Sequence, residues 1–151
     1  MNRSVVFDCN VFTQALLSPH GPAARCPELA QTRDIALFVS EFVLKEITEL
    51  YLKLPARAGI TADDTEDLAL LVRTFATVLD PVPVFFVHPI DPDDSAYVNL
   101  AIAAKAELIV SRDKHLLGLN DTSKPWSSEF HARFPSLRVL TPDKLLVELS
   151  A

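Results

Sequence analysis

Asp8, Glu46, Asp94 and Asp113 are the residues whose types and positions could do chemistry. Asp8 directly follows the apolar run Val5-Val6-Phe7, and Asp113 stands just beyond Leu108-Ile109-Val110-Ser111. Asp94 closes the turn-forming stretch Pro89-Ile90-Asp91-Pro92-Asp93-Asp94, ahead of a helix rich in Ala, Leu and Ile. Glu46 belongs to another helix. On a wheel of about 100° per residue it falls roughly 75° from the centre of the stripe Val43, Ile47, Leu50 and Leu54, whereas Glu49 falls roughly 135° away, toward solvent. Taken singly, each acid has a plainer use. Asp93 or Asp94 can cap a helix, Glu46 can edge a surface helix, and Asp113 can serve a turn. Asp8 is harder to assign to solubility, because a carboxylate ending a buried strand is costly. Four carboxylates directed at one place would repel unless cations sat among them. An all-oxygen cluster suits hard Mg²⁺ or Mn²⁺. Such ions activate water and neutralise charge on a phosphodiester, so the chemistry indicated is metal-assisted phosphodiester hydrolysis.

The elements that would position these acids can be read from local pattern. Val5–Phe7 reads as a buried strand, followed by a helix over Val11–Leu17 and another over Ala23–Thr32. Ile35–Val39 is the next strand. Ser40 suits the cap of a helix over Glu41–Leu54, which Pro55 ends. Thr61 and Asp64 make a capping box for a third long helix, with Leu68, Leu71, Val72, Phe75, Val78 and Leu79 as its apolar stripe. Val84–Val87 reads as a buried strand and Glu107–Ser111 as another. A short helix follows from Lys114, then loop-like sequence over residues 119–136 that holds Trp126. Leu137–Leu140 is the last strand and Pro142–Leu149 the last helix, with Pro142 at a favourable first position. Short apolar strands alternating with helices imply an α/β fold: a twisted parallel sheet with helices on both faces. In such a sheet ligands bind beyond the carboxyl ends of the strands. Parallel strands would therefore put Asp8, Asp94 and Asp113 on one edge, with Arg3, Arg112 and Lys114 near it as phosphate-contact candidates.

Composition excludes several classes of function. The 151 residues are 49% hydrophobic and 23% charged, too apolar for disorder, and they suit one domain spanning residues 1–151. No apolar run reaches the roughly 18–20 residues of a membrane span. The start reaches Asp8 before a signal-peptide core could form, so a cytoplasmic location is expected. Gly21, Gly59 and Gly118 stand far apart, which rules out glycine-rich phosphate loops. Cys9 and Cys26 make neither a disulfide framework nor a zinc site and read as small buried residues. His20, His88 and His131 have no metal-ligand spacing, and His115 reads as a helix-surface residue. A net charge of −6 argues against general electrostatic affinity for nucleic acid. Setting the four acids aside brings that balance to −2, so most of the excess acid would belong to a single cleft.

Val5-Val6-Phe7-Asp8-Cys9-Asn10-Val11, the Ser40 helix carrying Glu46, Asp91-Pro92-Asp93-Asp94 with Leu100-Ala101, and Leu108-Ile109-Val110-Ser111-Arg112-Asp113-Lys114-His115-Leu116-Leu117 together resemble the PIN-domain nucleases. The likeness is greatest to the bacterial toxin components of toxin–antitoxin pairs. The ending Arg138-Val139-Leu140-Thr141-Pro142, with Leu145-Leu146, fits as well. The resemblance implies an α/β/α sandwich, a homodimer, and an endoribonuclease that cleaves RNA with Mg²⁺ or Mn²⁺. It also implies a small antitoxin protein as partner, and no membrane. Asp8, Glu46, Asp94 and Asp113 match the family's acidic quartet. Asn10, Ser111 and Asp91 match its supporting positions. On that basis Asp8 and Asp113 would hold the principal ion, with Asp94 and Glu46 as further ligands, direct or through water. One ion, or two separated by ~3.5–4 Å, would serve. Cys9 departs from the family by standing where Thr or Ser is usual. The stretch Asn120–Pro135 is long for the family, as an added loop or small lid would be.

Two rival readings differ in class. A haloacid-dehalogenase-like phosphatase also begins with a strand ending in Asp-x-Asp, but Asn10 at the second position cannot act as its general acid. The other rival is a catalytically silent PIN-like module that acts through partner contacts, since fold alone does not fix function.

Overall fold

The first strand, β1 (Arg3–Phe7), is buried over Val5, Val6 and Phe7, and it holds the centre of a five-stranded sheet. The computed structural model describes residues 2–150. The other strands are β2 (Ile35–Ser40), β3 (Thr77–Leu79), β4 (Leu108–Val110) and β5 (Arg138–Leu140), in the order β3-β2-β1-β4-β5. Every pairing is parallel. Fully apolar central strands demand cover on both faces. The chain supplies it with α1 (Cys9–Leu17), α2 (Pro22–Gln31), α3 (Glu41–Thr48), α4 (Ala62–Phe75), α5 (Ser95–Ala104), α6 (Lys114–Leu117), α7 (Ser128–Arg133) and α8 (Pro142–Ser150). From β1 the chain steps outward through β2 to β3, then returns across the sheet to β4 and β5. Right-handed crossovers then send the early helices to one face and α5 to the other. The packing agrees: α1 lies on α2, α2 on α8, and α3 on α4, while α5 packs on β1, β2 and β4. No helix among the described residues is long and apolar enough to cross a membrane.

The strand order fixes where a ligand can enter. β1 and β4 are neighbours whose following segments depart in different directions, and the crevice beyond their carboxyl ends is the switch point of the sheet. Phe7 is in register with Val110, and the Asp8 amide donates to the Val110 carbonyl at 3.0 Å. Asp8 and Ser111 therefore emerge side by side.

Several boundaries follow local chemistry as expected. The Ser40 hydroxyl accepts from the Val43 amide at 3.1 Å. Thr61 and Asp64 form the reciprocal capping box at the start of α4. Others differ. α1 begins at Cys9 rather than Val11, because Asp8 itself caps it, its carboxylate accepting from the Asn10 amide. α3 ends at Thr48, and the rest of the expected helix to Leu54 is a tighter 3₁₀ turn over Leu50–Lys53. α4 buries Thr65, Ala69, Val72 and Phe75 and leaves Leu71 exposed, and the chain past Phe75 becomes β3, so Val78 and Leu79 belong to a strand.

The expected strand at Val84–Val87 does not form. Val84, Phe85 and Val87 are exposed, and only Phe86 enters the core. The segment is an irregular strap whose backbone is satisfied by α5 side chains. Asn99 Oδ1 accepts from the Phe85 and Phe86 amides at 2.8 and 2.9 Å, and Asn99 Nδ2 donates to the Phe86 carbonyl at 3.0 Å. The Ser95 hydroxyl accepts from the His88 amide at 2.7 Å. Residues 119–136 are also more ordered than a loop. They contain α7, whose Phe130 is fully buried, and Trp126, whose ring lies 5.0 Å from that of His88.

Candidate metal centre

Asp8 is only 7% exposed. Its Oδ2 accepts from the Ser111 hydroxyl at 2.6 Å, and the same Ser111 oxygen accepts from the Asp113 amide at 2.9 Å. The fully buried serine thus ties the end of β1 to the turn after β4. Asp113 caps α6, its Oδ1 accepting from the His115 amide at 2.7 Å and from the Leu116 amide at 3.3 Å. Asp94 arrives from the opposite face. The 3₁₀ turn Pro92–Asp94 delivers it to the start of α5, and its carboxylate is 8% exposed.

The electrostatics are those of crowded acids. Burial holds the Asp94 carboxyl well above the usual range, at about 8, and the charges of Asp113, Asp91 and Asp8 add to the effect. Burial likewise raises the Asp8 carboxyl, against the lowering by the Ser111 hydrogen bond. One oxygen of Asp94, Oδ2, is buried without any hydrogen-bond partner, as is Asn10 Oδ1. A buried unpaired carboxylate oxygen is costly, so both observations indicate that something else completes the site.

Asp91, Asp94, Asp113 and His115 each place one donor atom within 4.8 Å of the others. His115 Nδ1 lies 3.3 Å from Asp91 Oδ2. Behind them, buried His88 accepts the Ile90 and Asp91 amides on Nδ1, so its Nε2 carries the proton and donates to the His115 carbonyl at 3.0 Å. A cleft of about 630 Å³ opens over the acids, lined among others by Asp8, Asn10, Glu46, Lys53, Asp94 and Asp113.

The structure corrects parts of the sequence reading. Glu46 reaches the cleft, but its Oε2 pairs with the Lys53 ammonium at 3.2 Å. Lys53 is the lining cation that sequence reasoning missed. Its spacing of seven residues from Glu46, two helical turns on one face, was the available signal. His115 is no mere surface residue, since it faces Asp91; the capping of α6 by Asp113 turns it there, and no sequence spacing announces that. Arg112 and Lys114 are exposed and do not line the cleft. Arg3 starts β1, so it lies at the opposite end of the strand, bonded to Glu107 at 2.7 Å and 3.4 Å from Glu148. Cys9 and Tyr97 line the cleft in uncharged form, burial pushing the Cys9 thiol up to about 12 and the Tyr97 phenol further above its ordinary value.

Residues 4–115 match the PIN domain family. The chain belongs to the PIN-domain family. The matched span holds Asp8, Glu46, Asp91, Asp94, Asp113 and His115 together. An uncharacterized protein of Methanocaldococcus jannaschii is 31% identical over 122 residues, covering 80% of this chain and 77% of that protein. A PIN domain is in general a nuclease-type hydrolase that uses a divalent metal, and the acid cluster is compatible with one. The donors of this PIN domain fit such an ion: three carboxylates and an imidazole converge, and one of them, Asp94, carries a buried oxygen with no hydrogen-bond partner.

Proposed function

We propose that this PIN domain is an Mg²⁺- or Mn²⁺-dependent endoribonuclease, hydrolysing RNA phosphodiester bonds as the toxin of a toxin–antitoxin pair. The observation that carries the reading is the convergence of Asp91, Asp94, Asp113 and His115, of which Asp94 has a buried oxygen with no partner. These four residues would hold the ion; Asp8 and Glu46, ligands by the resemblance, are not part of that cluster. The bound ion would supply an activated water and offset charge on the phosphodiester. Asp8, fixed by Ser111, would orient that water from the end of β1, and the buried Asp8–Ser111–Asp113 chain would keep the donors in place. Asn10 Oδ1, unpaired at the cleft wall, is a second acceptor for the water. Glu46 would act as an outer acid, restrained by Lys53.

Purified protein incubated with RNA and Mn²⁺, Mg²⁺ or EDTA tests the activity. Cleavage that persists in EDTA, or that is unchanged in Asp8→Asn, removes the nuclease assignment. The toxin role and the homodimer rest on the resemblance. Growth arrest on expression, relieved by the product of a short adjacent gene, tests the first, and light scattering tests the last.

A further inference from the structure

Beside the acid cleft lies a second hollow of about 530 Å³, different in character. Its walls are Phe42, Pro81, Val84, Val87 and Pro92, and Phe42, Pro92 and Ala96 line both spaces. Phe42 is 51% exposed, Val84 75% and Val87 59%. An aromatic residue at the second position of α3 is thus kept in solvent at the border of a metal-type cleft. The strap explains the exposure. Asn99 and Ser95 pin the backbone of residues 85–88 so that Phe86 turns in, and Val84, Phe85 and Val87 are left exposed.

The polar groups of this groove select its occupant. Asn99 already spends its amide on the strap backbone, and the Ser95 oxygen already accepts from His88. The remaining charged group is the exposed Asp80 carboxylate, an acceptor that repels phosphate and welcomes an N–H donor. A flat uncharged ring with N–H groups on its edge meets those terms. Continuity with the cleft supplies the reason such a ring would arrive there. Phe42, Pro92 and Ala96 line both spaces, so a base flanking a phosphodiester in the acid cleft would meet the groove across that wall.

We propose that this groove is a nucleobase subsite, in which an unpaired base next to the scissile phosphate stacks on Phe42 between Val84 and Val87. The inference rests on the nuclease reading and deepens it: the substrate is single-stranded at that position, because a base held in a duplex cannot leave its stack for the groove. Stacking of one base on an aromatic side chain is sequence-tolerant and corresponds to about 5- to 150-fold in affinity.

The test is fluorescence anisotropy on the full chain with a labelled single-stranded RNA and with the same sequence as a blunt duplex, Ca²⁺ replacing Mn²⁺. The native protein should prefer the single strand at least roughly tenfold. Phe42→Ala should lose most of that preference, Phe42→Tyr should retain it, and Val84→Asp should lose it by placing charge in the groove. Mn²⁺ binding by calorimetry should be the same in all four proteins. Unchanged single-strand affinity in Phe42→Ala overturns the subsite and leaves the nuclease reading standing, as does equal loss for strand and duplex. Failure to bind either RNA overturns both.

Discussion

The Ser111 hydroxyl donates to Asp8 Oδ2 at 2.6 Å across the junction of β1 and β4. The Ser111 oxygen in turn accepts from the Asp113 amide, so one side chain sets the spacing of two acids. Ser111→Ala leaves a buried carboxylate oxygen unpaired, which should destabilise the fold by about 1–3 kcal/mol. Loosened acids should also bind Mn²⁺ about 10- to 100-fold more weakly. Urea unfolding and calorimetric titration measure the two effects separately. An Ala variant with native metal affinity would show that Ser111 has no part in arranging the site.

Asp94 sets a pH dependence. Its carboxyl lies near 8 in the folded chain against an ordinary 3.8. Between those values the native state holds a proton that the unfolded state has lost, so stability falls as pH rises through that window. The metal-free melting temperature should therefore decline from about pH 5 to pH 8 by way of this group. Asp94→Asn should flatten the decline and melt higher than the native chain at pH 8. Excess Mn²⁺ should reverse that order, because the native chain gains a ligand and the variant does not. Differential scanning calorimetry at several pH values, with and without Mn²⁺, reads the whole pattern.

Lys53 should oppose metal binding. Its ammonium is 3.2 Å from Glu46 Oε2 and partly neutralises the cleft. Lys53→Met removes that charge and frees the carboxylate, so Mn²⁺ should bind several-fold more tightly. Glu46→Gln should move the affinity in the opposite direction. Parallel titrations of both variants check the pair, and equal affinities throughout would place Lys53 outside the field of the site.

Asn99 holds the strap. Replacing it with Ala strands the Phe85 and Phe86 amides and the Phe86 carbonyl, with an expected loss of about 2–4 kcal/mol. Hydrogen exchange at the Phe85 and Phe86 amides should quicken far more than exchange in β1 or β4, where the ladder is untouched.

Elements that depend on near neighbours in sequence were legible: the apolar runs of β1 and β4, the Ser40 cap, and the Thr61–Asp64 box. The third strand was not. Val84–Val87 is the more strand-like run, yet Thr77–Leu79 pairs with β2, because the hydrogen bonds of the former are taken by Asn99 from α5. That competition is settled by residues a dozen or more positions away, and no local pattern carries it. The placement of Asp8 and Asp113 on one edge came from strand polarity, and both line the cleft; Asp94 lines it too, but delivered by the 3₁₀ turn Pro92–Asp94 rather than by the strand expected before it. His115 was read as a helix-surface residue because its direction depends on how Asp113 caps α6, whereas Lys53 was passed over although its spacing from Glu46 was legible.

The central place of β1 also governs when the cleft can exist. Asp8 is made 103 residues before the serine that anchors it. A nascent chain has no neighbour on the β4 side of β1 until residues 108–110 have emerged, and no hydroxyl for Asp8 until Ser111 does. Any product broken off before that point carries a lone carboxylate at a strand end and no assembled centre. Assembly of the cleft therefore waits on the second half of the chain, although its first acid lies in the first.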